Sequence, residues 1–269
     1  MQARGNLKKW TMAALLAIAF FTIPSGRSEE KGTAAADHPT SLWQKALDLF
    51  KKNSAYYPQK INILSEVLDR HEQPSTITEL FFALRLDDAG RLQTEMTKAL
   101  KNGKDISTEM KKKVEIRNLD DDNAPKKEDA VTVSLSDSPF NPERQGAVSY
   151  HAKNERRALF RRLCRRYDFT YRTEIIRKGK TEKLTWTGMA WLEEVSGIPV
   201  KLEFSLTPLP ARIRSLWTIY TYGISQPDRW VLNQITISGS GGFLFIKKRF
   251  RSTTTFSDYR RPPAKEATK

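Results

Sequence analysis

The amino-acid sequence predicts a mainly β protein with few helices, in the α+β class: one large antiparallel sheet, strongly curved and covered on its concave side by one or two helices. Three observations carry that expectation. Apolar and polar residues alternate over many stretches after Tyr57-Pro58, the period-two pattern of half-buried strands. Turn-forming residues separate those stretches at short intervals, at Asn102-Gly103, Gly179, Ser196-Gly197, Pro208 to Pro210 and Gly239 to Gly242, so the sheet meanders in sequence order. Finally, about ten strands and only two helices cannot cover a broad flat sheet, whereas a curled sheet buries its concave side under a helix or two and leaves its convex side polar.

The elements follow in order. Arg4, Lys8 and Lys9 precede the uncharged run Thr11 to Ile23, and Pro24, Ser25, Gly26 and Ser28 come after it, the shape of a secretory signal peptide. Residues 1–28 are therefore expected to be cleaved off, with Gly26 and Ser28 at the two positions a signal peptidase reads. The apolar run is shorter than the roughly 20 residues that cross a bilayer, which makes an uncleaved anchor in the inner membrane the weaker reading. No cysteine directly follows it to take a lipid. Residues 29–269 are expected to form a single soluble domain in the periplasm, whose only cysteine, Cys164, reads as a small buried hydrophobe.

Ser41 and Gln44 have capping-box spacing, and Leu42, Trp43, Ala46, Leu47 and Phe50 recur at helical intervals, which predicts an amphipathic helix over about 40–52. Ile61, Ile63 and Val67, then Ile77, Leu80, Phe82, Leu84 and Leu86, predict two paired strands around a turn at His71 to Ser75. Turns at Asp87 to Gly90 and Asn102-Gly103 bound a third strand over 91–101; the Asn-Gly pair accepts the positive φ angles of tight hairpins. Ser107 or Thr108 caps a short helix through Ile116. The acidic insertion at 117–133, with Pro125 inside it, is expected to be a mobile excursion.

Strands are then expected at Ala147 to Ala152, Arg161 to Arg172, Lys183 to Glu193, Pro199 to Thr207, Ala211 to Gly223, Arg229 to Ser238 and Phe243 to Phe256. In Pro199 to Thr207, Val200, Leu202, Phe204 and Leu206 point one way while Lys201, Glu203, Ser205 and Thr207 point the other, so one face is buried and one is wet. Arg156 to Arg166 also fits a helical stripe of Leu159, Phe160, Leu163 and Cys164; a strand from about Arg161 is preferred.

Charge is divided unevenly. Without residues 1–28 the chain holds 42 basic and 31 acidic residues; 29–150 carry 18 and 21, and 151–269 carry 24 and 10. The basic half is where an anionic partner would dock. Outside the cytoplasm that means phospholipid head groups or acidic glycolipid and argues against nucleic acid, with each Lys or Arg near such a surface worth about 1 kcal/mol. The plain alternative is a solvated face that keeps the protein soluble.

In that order along the chain, the N-terminal helix and strands, Lys101-Asn102-Gly103-Lys104-Asp105, Trp186-Thr187-Gly188-Met189-Ala190-Trp191-Leu192, Ser196-Gly197-Ile198-Pro199-Val200, Gly241-Gly242-Phe243-Leu244-Phe245 and Phe256-Ser257-Asp258-Tyr259 form a pattern spanning about residues 40–260. It resembles the exported bacterial proteins of the outer-membrane lipoprotein-sorting type, the LolA-like family. The resemblance implies an unclosed half β-barrel with an apolar concave face and helices acting as a lid over bound acyl chains. The chain departs from the family by its insertion at 117–133 and matches an uncharacterised relative, so cargo and partner do not carry over.

No catalytic constellation emerges. His38, His71 and His151 lack metal-ligand spacing with Cys or carboxylates. Ser238-Gly239-Ser240-Gly241-Gly242 lacks the G-x-S-x-G spacing of a nucleophile elbow, fits no phosphate loop and reads as a hairpin turn. Glu193 and Glu194 are adjacent and so face opposite sides of a strand. No catalytic residue, metal ligand or cofactor is assigned, and a non-enzymatic protein is expected. The ligand-binding surface expected is the apolar face of Leu202 and Phe204, to which Trp186 and Trp217 contribute from neighbouring strands; the plain alternative is that this face is core.

The function expected is a periplasmic carrier or binding protein for a lipid or a lipoprotein acyl group, with the basic half meeting anionic membrane surfaces. Burying about ten to fourteen CH₂ groups at ~0.8 kcal/mol each gives roughly 8 to 11 kcal/mol before the costs of binding. The alternative is an envelope sensor that uses the same fold to bind lipoprotein or glycolipid and an inner-membrane partner.

Overall fold

The computed structural model describes residues 41–53, 56–87, 92–112, 138–177, 180–209, 213–226, 229–243 and 246–261. The signal-peptide expectation at 1–28 and the acidic insertion at 117–133 lie outside them.

Helix α1 (Leu42–Asn53) starts where Ser41 Oγ accepts a hydrogen bond from the Gln44 N–H at 3.2 Å. Half of the expected capping box forms, because the Gln44 side chain donates forward to Asp48 instead of back to the cap. Lys51 and Lys52 in the last turn suit the negative end of the helix dipole. Trp43, Ala46 and Leu47 make up the buried stripe.

Eleven strands form one sheet: β1 (Tyr57–Leu68), β2 (Pro74–Leu86), β3 (Leu92–Lys101), β4 (Lys104–Asp105), β5 (Val148–Leu159), β6 (Arg162–Arg177), β7 (Lys180–Glu193), β8 (Pro199–Thr207), β9 (Ile213–Gln226), β10 (Arg229–Phe243) and β11 (Ile246–Arg260). Their order is β4-β3-β2-β1-β11-β10-β9-β8-β7-β6-β5. All neighbours are hairpin-connected except β1 and β11, whose antiparallel pairing joins the first strand to the last. β4 and β5 remain as edges, and the sheet is an unclosed, curved half-barrel with few helices.

The β1–β11 seam is fastened by a cross-strand ion pair. Glu66 and Arg251 are register partners, Arg251 Nε donates to Glu66 at 2.6 Å, and the Glu66 carboxylate is buried. That carboxylate holds the guanidinium above its usual pKa.

Between the edges, the chain forms a helical segment at residues 107–112, begun by Asp105 accepting from the Ser107 N–H at 2.7 Å, and a 3₁₀ turn at Pro142–Ala147. The Asn102-Gly103 turn forms as expected, with φ of 49° and 77°. Strand β8 occupies the predicted residues, Pro199–Thr207.

Two local expectations are corrected. β6 begins at Arg162, in line with the preferred strand from about Arg161, but β5 runs on past Ala152 to Leu159, so the Arg-rich stretch is a hairpin whose two-residue turn is Phe160 (φ 47°) and Arg161 (φ 64°), with Leu159 opposite Arg162. Nothing in a Phe-Arg pair signals such a turn, since bulky side chains rarely adopt positive φ. The glycine cluster Gly239 to Gly242, expected to be a hairpin turn, is instead paired strand, with Gly239 opposite Phe250. A Cβ on Gly239 would lie 2.5 Å from Ser215 O and 2.8 Å from Phe250 Cζ, so glycine serves close approach between strands.

Candidate ligand-binding face

The concave face is built by alternation along neighbouring strands. β6 contributes Tyr167, Phe169 and Tyr171; β7 contributes Trp186, Ala190 and Leu192; β8 contributes Leu202, Phe204 and Leu206, and β9 contributes Tyr220, all buried. Register places Trp186 opposite both Tyr171 and Leu206, and Leu202 opposite Tyr220. Three of the four sequence-predicted site residues, Trp186, Leu202 and Phe204, therefore lie together on one face.

Trp217 does not join them. It sits between Thr218, which is buried opposite Phe204, and Leu216, which packs on the core, so it points to the convex side and is 38% exposed. The residue was one position out of phase, and in a strand one position reverses the face.

The aromatic side chains form a connected row. Phe204 stacks on Trp186 with centroids 4.6 Å apart, and it meets Tyr220 and Phe169 edge-on. Trp186 in turn meets Tyr171 edge-on at 5.4 Å. At the other end Trp43 from α1 stacks on Tyr150 at 4.4 Å and contacts Phe140, Tyr167 and Phe169. Trp43 thus inserts from the covering helix into the aromatic row, and its Nε1 donates to Gln145 at 3.1 Å. Sequence reasoning placed Trp43 on the apolar helix face without linking it to the ligand surface; the Tyr167-Phe169-Tyr171 alternation was the signal that would have extended that surface across β6.

The tryptophan donors differ. Trp43 and Trp230 both donate, the latter to Pro199 O at 2.6 Å. Trp186 Nε1 is buried and has no hydrogen-bond partner among the described residues, and leaving a buried donor unsatisfied costs about 1–3 kcal/mol.

Helix α1 is held at its start by the β7–β8 turn. Lys45 Nζ donates to Val195 O at 3.1 Å, and Gly197 (φ 75°) lies so close that a Cβ there would meet Lys45 Cβ at 2.4 Å and Leu42 O at 2.9 Å. A smaller cluster, separate from the concave core, gathers Cys164, Trp191 and Val200 with Leu159 and Met189; Val200, expected to share the face of Leu202, Phe204 and Leu206, packs there instead, beside the register shift between Trp191 and Leu192. Burial pushes the Cys164 thiol above its usual pKa, the state of an inert buried cysteine.

Other candidate groups are placed as follows. Ser240 Oγ lies 2.7 Å from Ser215 Oγ in the β9–β10 ladder. His71 is exposed and accepts from Arg70 Nε at 3.0 Å, while His151 is exposed on β5. Among the described residues no three His, Cys, Asp or Glu side chains are grouped to hold a metal, and no helix is long and apolar enough to cross a membrane.

No protein-family model and no curated protein matches the chain. Among solved structures it is similar to a DUF1329 family protein from Desulfovibrio piger, with 9% identity, 84% of this chain and 93% of that one covered, and a TM-score of 0.31. It is also similar to the MucA/MucB complex of Pseudomonas aeruginosa, with 10% identity, 80% and 98% covered and a TM-score of 0.22. A further structure, MucB in complex with MucA(peri), has 9% identity, the same coverage of 80% and 98% and a TM-score of 0.21. Similarity at this level assigns neither an activity nor a partner to this chain.

Proposed function

We propose that the protein is an exported, non-enzymatic binder or carrier of a lipid or lipoprotein acyl group, held on the concave face beneath α1. The observation that carries this reading is the indole donor Trp186 Nε1, buried without an acceptor among the described residues inside a largely aromatic surface. An acyl ester or carboxyl group offers the missing acceptor, and its chain suits the surrounding rings, which bury apolar area at about 25 cal/mol per Å². Trp43, Ala46 and Leu47 occupy part of that face, so α1 must move aside for a chain to enter. Because a bilayer solvates an acyl chain as well as the protein does, such movement also controls loading and release.

The test combines extraction and a donor-specific variant. Protein purified from its native host yields acyl lipid by mass spectrometry, and Trp186→Phe keeps the ring stack while weakening fatty-acid binding about tenfold, the worth of one buried hydrogen bond. A ligand-free native protein that also ignores fluorescent fatty acids contradicts the reading.

A second reading rests on β5. It is a twelve-residue edge strand, exposed along most of its length, whose outer backbone groups can accept a strand from a protein partner. That arrangement suits an envelope sensor, and cross-linking in cells to a stoichiometric membrane protein, with no cargo recovered, favours it.

A further inference from the structure

The end of the molecule that carries the β5–β6 turn and the β7–β8 turn has a composition unlike the rest of the surface. Phe160 is 67% exposed, Leu163 53% and Val195 84%, three of the large apolar side chains most open to water among the described residues. They are adjacent: Phe160 is the turn itself, Leu163 follows it on β6, and the Glu194 N–H donates to Leu163 O at 3.0 Å, which sets Val195 beside it. Exposed apolar groups that cluster rather than scatter mark an interaction site.

Charge around them is arranged by pairing. Arg156 Nε donates to Glu194 at 2.6 Å and Arg162 to Glu193 at 2.7 Å, so both carboxylates near the tip are neutralised. Arg157 and Arg161 are exposed, and among the described residues neither has an acidic partner. The tip therefore presents three apolar side chains beside two unpaired guanidinium groups.

The turn is also held in an uncommon backbone state. Phe160 and Arg161 both have positive φ, which bulky non-glycine residues seldom adopt. Here its effect is to project a phenyl ring into solvent at the apex of a hairpin.

From these observations we propose that this tip is a membrane-docking device. Phe160, Leu163 and Val195 enter the head-group layer of an anionic bilayer while Arg157 and Arg161 contact lipid phosphates. A convex tip suits a bilayer interface, where aromatic rings settle at head-group level and basic residues beside them add attraction. A stable protein interface needs about 800 Å² from each partner, far more than three side chains supply. The inference goes beyond the binding proposal and stands whether or not the concave face holds an acyl chain.

The test reads the tip directly, so that attachment elsewhere on the full chain does not count. Val195→Cys is labelled with an environment-sensitive dye in the full-length protein; the only native cysteine, Cys164, is buried and escapes the label. The control carries the dye at Lys104→Cys, an exposed position at the opposite end of the strands. Vesicles are phosphatidylcholine alone or with phosphatidylglycerol.

The expected result is a blue shift at position 195 on the phosphatidylglycerol vesicles, weakened by salt, with none on phosphatidylcholine alone and none at position 104. Phe160→Asn lowers the apparent vesicle affinity of the tip about tenfold, since one phenyl ring no longer leaves water, and Arg157→Gln/Arg161→Gln flattens the salt dependence. Asparagine tolerates the turn's positive φ, so this loss comes without loss of fold. The proposal is overturned by a dye that stays in water on both vesicles, as expected if the arginines serve an acidic protein surface instead. Equal shifts at 195 and 104, or a Phe160→Asn protein that responds like the wild type, overturn it as well.

Discussion

Phe204 leans across Gly188, its register partner on β7, and stacks on Trp186 with 8° between the ring planes. The missing side chain is what permits the stack: a Cβ on Gly188 would lie 2.0 Å from Glu203 O and 2.6 Å from Phe204 Cα. The centre of the candidate ligand surface thus depends on a residue that has no side chain of its own.

Gly188→Ala is therefore expected to cost at least about 3 kcal/mol, because the atoms in the way are backbone and cannot rotate aside. Phe204→Leu, which keeps most of the volume, should cost roughly 1 kcal/mol. Urea denaturation followed by tryptophan fluorescence compares them; a Gly188→Ala protein with the wild-type midpoint would contradict the close approach.

Replacing Phe160-Arg161 by Asn-Gly is expected to stabilise the protein by about 1 kcal/mol, since that pair is the preferred occupant of a two-residue turn with positive φ at both positions. Neither side chain contributes buried area to offset the gain, Phe160 being largely exposed. A lowered melting temperature in this double variant would show that the Phe160 ring packs usefully against its surroundings.

The Phe160-Arg161 and Asn102-Gly103 turns also show how much was legible beforehand. Where local chemistry sets local structure, the sequence was enough: Ser41 starts α1, Asn102-Gly103 turns β3 into β4, and the alternation from Lys201 to Thr207 gives β8 the buried face of Leu202, Phe204 and Leu206. Where a tertiary contact overrides local preference, it was not. Phe160-Arg161 turns without any turn-forming residue, and Gly239 is a paired strand residue whose lack of a side chain answers to the closeness of Ser215 and Phe250 rather than to a turn. Of the site, Leu202, Phe204 and Trp186 could be read from alternation, while Trp217 lies one position out of phase with Leu216, Thr218 and Tyr220, a phase masked by the polar Thr218 on the inner face. The packing of Trp43 across β5 and β6, on Tyr150 and Tyr167, joins elements far apart in sequence, which periodicity does not address.

Stability is expected to fall at alkaline pH through two phenols. Burial pushes Tyr222 and Tyr259 far above the usual tyrosine value, and Tyr259 OH donates to Leu232 O. A pKa raised in the folded state means that the stabilisation is complete below the unfolded value of about 10 and is lost as pH rises beyond it, at up to about 1.4 kcal/mol per pH unit for each phenol. Tyr259→Phe should lose about 1 kcal/mol at pH 8 through the missing hydrogen bond, yet decline less steeply above pH 10. Urea midpoints at pH 8, 9.5 and 11 check both the cost and the slope; parallel curves for the two proteins would remove Tyr259 from the account.

Gly197→Ala separates a covering helix that opens from one that is merely packed. The added methyl collides with Lys45 Cβ and Leu42 O and forces a positive-φ position to carry a side chain, so it loosens α1 at its start without touching the aromatic row. Destabilising the closed state by about 1 kcal/mol raises an open population roughly fivefold. If α1 gates the concave face, a fluorescent fatty acid enters the variant about that much faster in stopped flow, with its bound spectrum unchanged, because the ligand still lies against Trp186 and Phe204. Entry at the wild-type rate would separate α1 from access to that face, and a variant that binds only once globally unfolded would mark the surface as ordinary core.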